Sequence, residues 1–600
     1  RGHTLMVFAR LKPGVTIPQA QSSMSALATQ LEKEFPATNA GWGVTVGPLQ
    51  RFYSDFGNTR TTLLVLLGAV GLLLLIACAD IANLLLARAT AREREIAVRV
   101  AIGATRGRLL RQFLTESLTL GTLGGLIGFV IAWLSFGPLL SLVPTIPSFR
   151  PHALRIDSQV FLFAMGISLL ASVLFGLAPA LRISKRDLHS WLREAGRGAK
   201  GTVRNRLIRD ALVVGEISLA IVLLVGTGLL IKTLNNLRND QLGFDSNHVY
   251  ILNMCCLDNT RYPTTKEVGG FFKQLFDRVQ TIPDAEAVAL VSNVPQRAFD
   301  GAGSVIQLRG LPPPQPGHES VADPRFISPN YFETMKIPMR TGRALTLQDD
   351  IDHPPVAVIN EAFAKKYFPG QDPIGQQFQM VVLQPLGRWF TIVGIAADSR
   401  ERGLGRDIRS TFYLSYLQNQ IRGAVVLVRT KPGAQETTNQ VRAAVRTVNQ
   451  DVSLNNPKTL DDTMAESLSP ERFSVTLLSL FAILAITLAS IGVYGVVSYA
   501  ALQRTHEIGV RMALGAERRD VMRLVLGHGF RLACMGVLLG VLGSLAATRW
   551  LSSLLYGVST KDPLTLLIVS VVLTVVALLA CYIPARRAMK IDPLEALRYE

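Results

Sequence analysis

Along the chain, long apolar blocks alternate with polar stretches rich in arginine. Seven blocks, at roughly 63–86, 118–142, 159–181, 211–231, 474–500, 532–555 and 565–583, reach the run of about 20 apolar residues that a transmembrane helix needs. Most are built from Leu, Val, Ile, Gly and Ala without helical periodicity, as expected where every face meets lipid or another helix. Buried helices of a large soluble protein would be shorter and amphipathic. The pattern predicts a polytopic α-helical membrane protein.

The polar stretches set its orientation. Segment 87–114 carries Arg88, Arg92, Arg94, Arg99, Arg106, Arg108 and Arg111 against Glu93 and Glu95. Segments 182–210 and 501–531 and the tail after 583 are similarly rich in Arg and Lys. Such segments stay in the cytoplasm. Counting crossings puts all four on one side and leaves 143–158, 232–473 and 556–564 outside. Four separate segments therefore agree on one topology.

The chain also repeats itself. Residues 95–128 and 507–540 share fourteen of thirty-four positions without a gap, including Arg106/Arg518, Arg111/Arg523, Gly124/Gly536 and Gly128/Gly540. Pro179-Ala180-Leu181-Arg182 returns as Pro584-Ala585-Arg586-Arg587, so each half ends in a three-helix unit with a basic exit. Repeated helix groups are a recurring transporter design. Arg10-Leu11-Lys12-Pro13-Gly14 matches Arg429-Thr430-Lys431-Pro432-Gly433, which makes 1–60 the tail of a first external domain and 232–473 a second copy. The chain opens on Arg1, and the repeat predicts a preceding span and the rest of that first domain: seven spans here, eight in the intact protein.

The external region reads as α+β. Short strands are expected at Val249–Leu252, Val356–Ile359, Phe390–Ile395 and Val425–Val428. Helices are expected at 266–280 and 434–449, and a loop at 310–317.

Composition narrows the function classes. The residues are 49% hydrophobic and 18% charged, against about 25% charged in soluble domains. The net charge of +18 sits in short loops beside apolar blocks, so membrane orientation explains it better than nucleic acid, for which no binding motif is visible. Of five cysteines, Cys78, Cys534 and Cys581 lie in apolar blocks, and the adjacent Cys255 and Cys256 have no third partner nearby, so neither a disulfide framework nor a zinc site is indicated. The chain has no Gly-Lys dipeptide and hence no phosphate loop, and its histidines show no metal spacing. No catalytic, cofactor or metal residues are assigned, and any ATP chemistry belongs to another chain.

The segment Glu95–Ala104 and its copy Glu507–Ala516, each followed by a glycine-containing span, resemble the C-terminal membrane domain of MacB/FtsX-type ABC transporter permeases. Ile327-Ser328-Pro329-Asn330-Tyr331-Phe332, Val358-Ile359-Asn360-Glu361-Ala362 and Lys366-Tyr367-Phe368-Pro369-Gly370 resemble the MacB-like periplasmic core domain. The tandem arrangement is similar to the acidobacterial-type duplicated orphan permeases. This resemblance implies a remnant of a first periplasmic domain at 1–60, FtsX-like three-helix domains at 61–183 and 471–600, a basic cytoplasmic linker at 184–210, the first helix of the second half at 211–234, and a MacB-like core at 235–470. It further implies an inner-membrane permease in contact with lipid, coupling a separate ATP-binding ATPase subunit to periplasmic motion for export. A periplasmic or outer-membrane partner is compatible with it. The alternative is an FtsX-like regulator that transmits motion to a periplasmic partner.

Four groups of residues stand out. Glu95 and Arg99, with Glu507 and Arg511, form i,i+4 acid-first pairs worth about 0.2–0.5 kcal/mol on amphipathic segments that also carry Ile96 and Ile508 and end at Gly103 and Gly515. On residues alone these are either docking levers or helices lying in the headgroup layer; the resemblance favours ATPase coupling. Asp80 and Glu216 are the acids within spans, each within about two turns of a cytoplasmic end, and both inter-helix hydrogen bonding and a functional role are open. Members of the resembled family commonly carry Asn at the position of Asp80. Arg549 lies near an external end and is expected to snorkel. Gly121, Gly124, Gly125 and Gly128, with Gly536 and Gly540, have the small-residue spacing that permits close helix approach.

Overall fold

A computed structural model of the chain describes residues 7–39, 43–49, 59–91, 99, 102, 105–143, 155–184, 200–255, 257–258, 260–294, 303–312, 320–381, 388–401, 403–405, 407–419, 423–432, 437–449, 453–454, 458–503, 510–512, 514 and 517–589. The chain divides into two compact units: Asn58–Asn236 with Pro470–Glu600, and Arg1–Gly57 with Leu237–Ser469. In chain order the principal helices are α1 (Ile17–Glu34), α2 (Thr59–Ala91), α3 (Arg106–Ser141), α4 (Ser158–Ser184), α5 (Lys200–Arg238), α6 (Thr265–Gln280), α7 (Glu361–Tyr367), α8 (Thr437–Val448), α9 (Leu460–Ser467), α10 (Ser469–Gln503), α11 (Arg518–Leu551) and α12 (Pro563–Ala588).

The first unit is the membrane unit. Among the described residues six helices, α2, α3, α5, α10, α11 and α12, are long and apolar enough to cross a bilayer. The seventh expected span, 159–181, falls on α4, where the apolar stretch with described side chains, Ser158–Val173, is shorter than the others. Helix α5 is the most enclosed, with Val213, Ile217, Ala220, Ile221, Val225 and Leu229 all nearly inaccessible. Around it pack Ala485, Ala489 and Val493 of α10, Leu532 and Ala533 of α11, and Leu573, Ala577 and Cys581 of α12. Leucines elsewhere on these helices, such as Leu538, Leu567 and Leu579, face outward, as lipid contact requires. Helices α3 and α4 form a hairpin of their own: Ser168 Oγ donates to Gly121 O (2.9 Å), and Phe129 meets Phe161 edge-on at 4.7 Å.

The second unit is α+β, with strands β1 (Val249–Cys255), β2 (Ala285–Val291), β3 (Ser304–Leu308), β4 (Ser320–Ile327), β5 (Met339–Gly342), β6 (Val356–Asn360), β7 (Gln377–Met380), β8 (Phe390–Ala396), β9 (Thr411–Ser415), β10 (Ala424–Thr430), β11 (Ser453–Leu454) and β12 (Lys458–Thr459). The four expected strands correspond to β1, β6, β8 and β10, and the expected helices to α6 and α8. Strand β10 lies between β1 and β2 and is buried along its whole length, which explains its unbroken apolar run. Helix α6 begins at a capping box in which Glu267 N donates to Thr264 Oγ1 (3.3 Å) and Thr264 N to Glu267 Oε2 (3.0 Å). Its buried face, Val268, Phe271, Phe272, Leu275, Phe276 and Val279, has helical spacing and packs with Val441 and Val445 of α8 on one side of that sheet.

The remaining strands close on themselves. Strand β4 runs parallel to β9, β9 antiparallel to β6, β6 parallel to β8, β8 antiparallel to β7, β7 antiparallel to β3, and β3 antiparallel to β4. This six-stranded ring shares a core with Phe363, Phe378, Phe390 and Phe412. Asn360 Oδ1 accepts from Phe363 N (3.0 Å) and Thr411 N (2.8 Å), so one side chain caps α7 and fixes it to β9.

Arg429, singled out by its match to Arg10, is a buried anchor. It donates to the carbonyls of Thr334 (2.7 Å), Asp245 (2.7 Å) and Asn247 (2.8 Å) and lies 3.4 Å from the Asp245 carboxylate. Arg10 is exposed. Partial burial would raise the Asp245 carboxyl, but hydrogen bonds from Lys336 and Asn247 and the charge of Arg429 outweigh it and bring the group down to about 2. A carboxyl lowered by folding contributes stability above its unfolded value and loses it as pH falls towards the folded one. Acidification from about pH 4 to pH 2 should therefore cost up to about 1 kcal/mol through this group after allowance for solvent screening. Asp245→Asn should flatten the acid limb of a urea-denaturation series over that window; an unchanged limb would remove Asp245 as its source.

Candidate functional site

The membrane bundle is tied at both ends of α5. At the end near residue 236, Lys232 Nζ pairs with Asp562 Oδ1 at 2.8 Å, while Asp562 Oδ2 accepts from Thr565 Oγ1 (2.6 Å) and N (3.2 Å) and so caps α12. Asn236 Nδ2 donates to Gly557 O at 3.1 Å, in a turn whose Gly557 has φ +61. At the opposite end the Arg209 guanidinium lies 3.9 Å above the Tyr499 ring, and His528 Nε2 lies 3.3 Å from Asp210 Oδ1. Arg587 Nη1 donates to Tyr494 Oη at 3.1 Å. Helices α5, α10, α11 and α12 are thereby joined by polar contacts at their rims and by apolar packing between them.

The coupling segments are described only in part. Arg99 is exposed and its Nη1 donates to Gln112 Oε1 (3.0 Å); Arg511 is exposed too. Glu95, Ile96, Gly103, Glu507, Ile508 and Gly515 lie outside the described residues.

The glycines behave differently in the two halves. An added Cβ at Gly536 would lie 2.7 Å from Ile217 Cβ, and one at Gly540 would lie 2.7 Å from Ile221 Cβ, so α11 approaches α5 through both. At Gly124 and Gly128 such an atom meets open space. On α3 the close approach falls instead to Gly121 and Gly125, against Ser172, Ser168 and Met165 of α4. These two α3 glycines are four residues apart and lie on the face that meets α4. Arg549 falls in the last turn of α11.

The two intramembrane acids meet. Asp80 and Asn83 are three residues apart on α2 and so share a face. Glu216 on α5 accepts at Oε1 from Asn83 Nδ2 (2.8 Å). Opposite them, Gly492 on α10 supplies the space: an added Cβ there would lie 2.5 Å from Asp80 Oδ1 and closer still to Glu216 Oε2. Asp80 is 6% exposed and Glu216 fully buried. Each acid is visible in the sequence as a charge within a span, but their meeting, and the role of Gly492, are not. Among the described residues no group of three or more His, Cys, Asp or Glu could hold a metal ion.

Comparison with known proteins matches residues 211–448 to the MacB-like periplasmic core domain, and residues 67–188 and 479–593 to the FtsX-like permease C-terminal domain. The chain is 24% identical over 412 residues to the macrolide export ATP-binding/permease protein MacB of Mannheimia succiniciproducens, covering 66% of this chain and 59% of that protein. It is 27% identical over 286 residues to the probable syringafactin export ATP-binding/permease protein SyfD of Pseudomonas syringae pv. tomato, covering 45% and 41%. Among solved structures, the periplasmic region of MacB from Actinobacillus actinomycetemcomitans aligns at 14% identity and a TM-score of 0.25, covering 38% of this chain and 95% of that one. The chain thus spans about three fifths or less of the length of the MacB and SyfD proteins named here. With one MacB-like periplasmic core domain between two FtsX-like permease regions, it belongs to the MacB/FtsX-like ABC permeases.

Proposed function

We propose that the chain is the membrane-spanning subunit of an export system of the bacterial inner membrane, driven by a separate cytoplasmic ATPase. The observation that carries this reading is how the periplasmic domain is threaded. In chain order it follows α5, after residues 239–248, and leads straight into α10, with Leu468 alone between α9 and α10. These helices are 39 and 35 residues long, well beyond the roughly 30 Å of hydrocarbon that about 20 residues cross. A push at their cytoplasmic ends would travel the length of each helix, with no phosphate-binding loop needed in this chain. The relatives named above are described as a macrolide export and a probable syringafactin export ATP-binding/permease protein. For this chain the cargo is a substrate released or captured on the periplasmic side.

The basic segments after α2 and α10 are the proposed ATPase contacts, with Arg99 and Arg511 exposed on them. Affinity purification from native membranes should bring down a nucleotide-binding protein. Arg99→Glu combined with Arg511→Glu should reduce that recovery at least about tenfold, the equivalent of 1.4 kcal/mol in the contact. Undiminished recovery would refute the docking role of these segments.

A further inference from the structure

Asp80, Asn83 and Glu216 form a polar cluster that the chain itself does not satisfy. The Asn83 amide serves Glu216 Oε1, but both Asp80 oxygens, Glu216 Oε2 and Asn83 Oδ1 have no hydrogen-bond partner among the described residues. All three side chains are more than nine-tenths buried. Asp80 Oδ1 and Glu216 Oε2 converge on the space left by Gly492, so an unsatisfied oxygen of each acid borders the same small volume.

Among the described residues, the surroundings offer the pair no compensating charge. On α2 the neighbouring titratable group is Cys78, a thiol. On α5, Arg209 covers the Tyr499 ring, Asp210 lies against His528 of α11, and Lys232 pairs with Asp562 at the far end. Arg209 is seven residues from Glu216, about 10 Å along the axis. On α10, Tyr494 accepts from Arg587 of α12 and Tyr499 receives Arg209. On α12 the buried titratable group is Cys581, which lies against Gly529 of α11. Two ionised carboxylates here would each lose hydration and repel the other, with the single Asn83 amide on Glu216 as the one offset among the described residues. One proton removes the repulsion and supplies the missing donor, since a carboxylic O–H on one acid can bond the free oxygen of the other.

The duplication makes room for this. The ungapped register that pairs Glu95 with Glu507 places Asp80 opposite Gly492 and Asn83 opposite Gly495. The first copy carries the polar groups where the second carries glycines, and a side chain at Gly492 would occupy the space that Asp80 and Glu216 fill.

We propose that Asp80 and Glu216 form a proton-binding site between the two halves of the membrane unit, holding one shared proton while α2, α5 and α10 are packed together and releasing it when they part and water enters. Bound, the proton joins α2 of the first half to α5 of the second. The site takes up and returns its proton from one side, and nothing in it requires a path across the membrane.

The probe is dicyclohexylcarbodiimide, an apolar reagent that consumes a protonated carboxyl: the acid oxygen bonds to the carbodiimide carbon, the proton passes to nitrogen, and rearrangement leaves a stable N-acylurea. The full chain in native-lipid vesicles, mapped by mass spectrometry at about pH 7, should carry one adduct, on Asp80 or Glu216, although an unperturbed carboxyl is ionised there. Labelling should fall as pH rises further. Asp80→Asn removes the repulsion and adds an amide donor, so it should lower labelling of Glu216 about tenfold and abolish the infrared carbonyl band of a protonated carboxyl. Absence of both label and band in the unsubstituted chain would overturn the proposal, as would equal labelling in Asp80→Asn. Protection by sodium or calcium at constant pH would also overturn it, by assigning the site to a metal cation. No step uses an ATPase, so failure here leaves the docking of that subunit untouched.

Discussion

Replacing Glu401 with alanine should destabilise the periplasmic domain by about 3–5 kcal/mol, the usual cost of removing one partner of a buried ion pair. Glu401 Oε2 lies 2.7 Å from Arg325 Nε, with the two side chains 5% and 3% exposed. Its Oε1 accepts from Tyr413 Oη (2.9 Å), Ser399 Oγ (3.0 Å) and, at 3.4 Å, Tyr331 Oη. Burial first, and then the Glu401 charge, pushes both tyrosine hydroxyls well above the usual range, so they remain donors at any physiological pH. The alanine variant takes from the buried Arg325 guanidinium the carboxylate that its Nε meets at 2.7 Å. Loss of Ser399 alone should cost about 1 kcal/mol, because the carboxylate keeps its other partners. Hydrogen exchange in the full chain tests this through β4 and β9, which carry Arg325 and Tyr413. The double replacement Arg325→Met with Glu401→Leu should recover much of the loss, since an apolar pair of similar volume needs no partner. Protection of β4 and β9 that survives Glu401→Ala intact would show that the ion pair is not what holds these strands.

The second large effect is a contrast between equivalent positions of the repeat. Valine at Gly536 or Gly540 would drive a branched side chain into Ile217 or Ile221, where even an added Cβ lies 2.7 Å away. Each should cost about 1–3 kcal/mol by overpacking. At Gly536 the separation would also strain the bond from Ser218 Oγ to the Gly536 carbonyl (3.0 Å). Valine at Gly124 or Gly128, the sequence counterparts on α3, enters open space and should stay within about 0.5 kcal/mol of the parent. Thermal unfolding of the detergent-solubilised chain separates the cases, and equal losses at all four positions would contradict this packing.

Parts of the molecule that depend on local pattern were readable from sequence. Apolar blocks longer than a bilayer declare themselves wherever they fold, and β1, β6, β8 and β10 announce themselves by β-branched, apolar runs. Helix α6 carries both its cap, Thr264 with Glu267, and a phenylalanine-rich face at helical spacing. Strand β4 was not readable, because Asp323, Pro324 and Arg325 break its apolar alternation and are tolerated only through partners supplied from elsewhere, such as Glu401. The parallel pairing of β4 with β9 joins distant segments and leaves no periodic trace in either.

The site divides along the same line. Asp80 and Glu216 could be picked out singly because charge inside a span is costly, but their encounter depends on which faces of α2, α5 and α10 meet. Gly492, which makes the encounter possible, looks like any other small residue in an apolar helix. The repeat made Gly124 and Gly128 look equivalent to Gly536 and Gly540, yet the partner helix decides which glycines matter. Sequence similarity between the halves carries over the residues and not the neighbours they pack against.

The closed circuit formed by β3, β4, β9, β6, β8 and β7 has no outermost member from which unzipping can start. A load applied at any point of it is shared by all six backbones, and yielding means breaking two ladders at once. That part of the periplasmic domain should therefore move as a solid piece, so that displacement delivered to it is spent on whatever it touches and not on bending the protein.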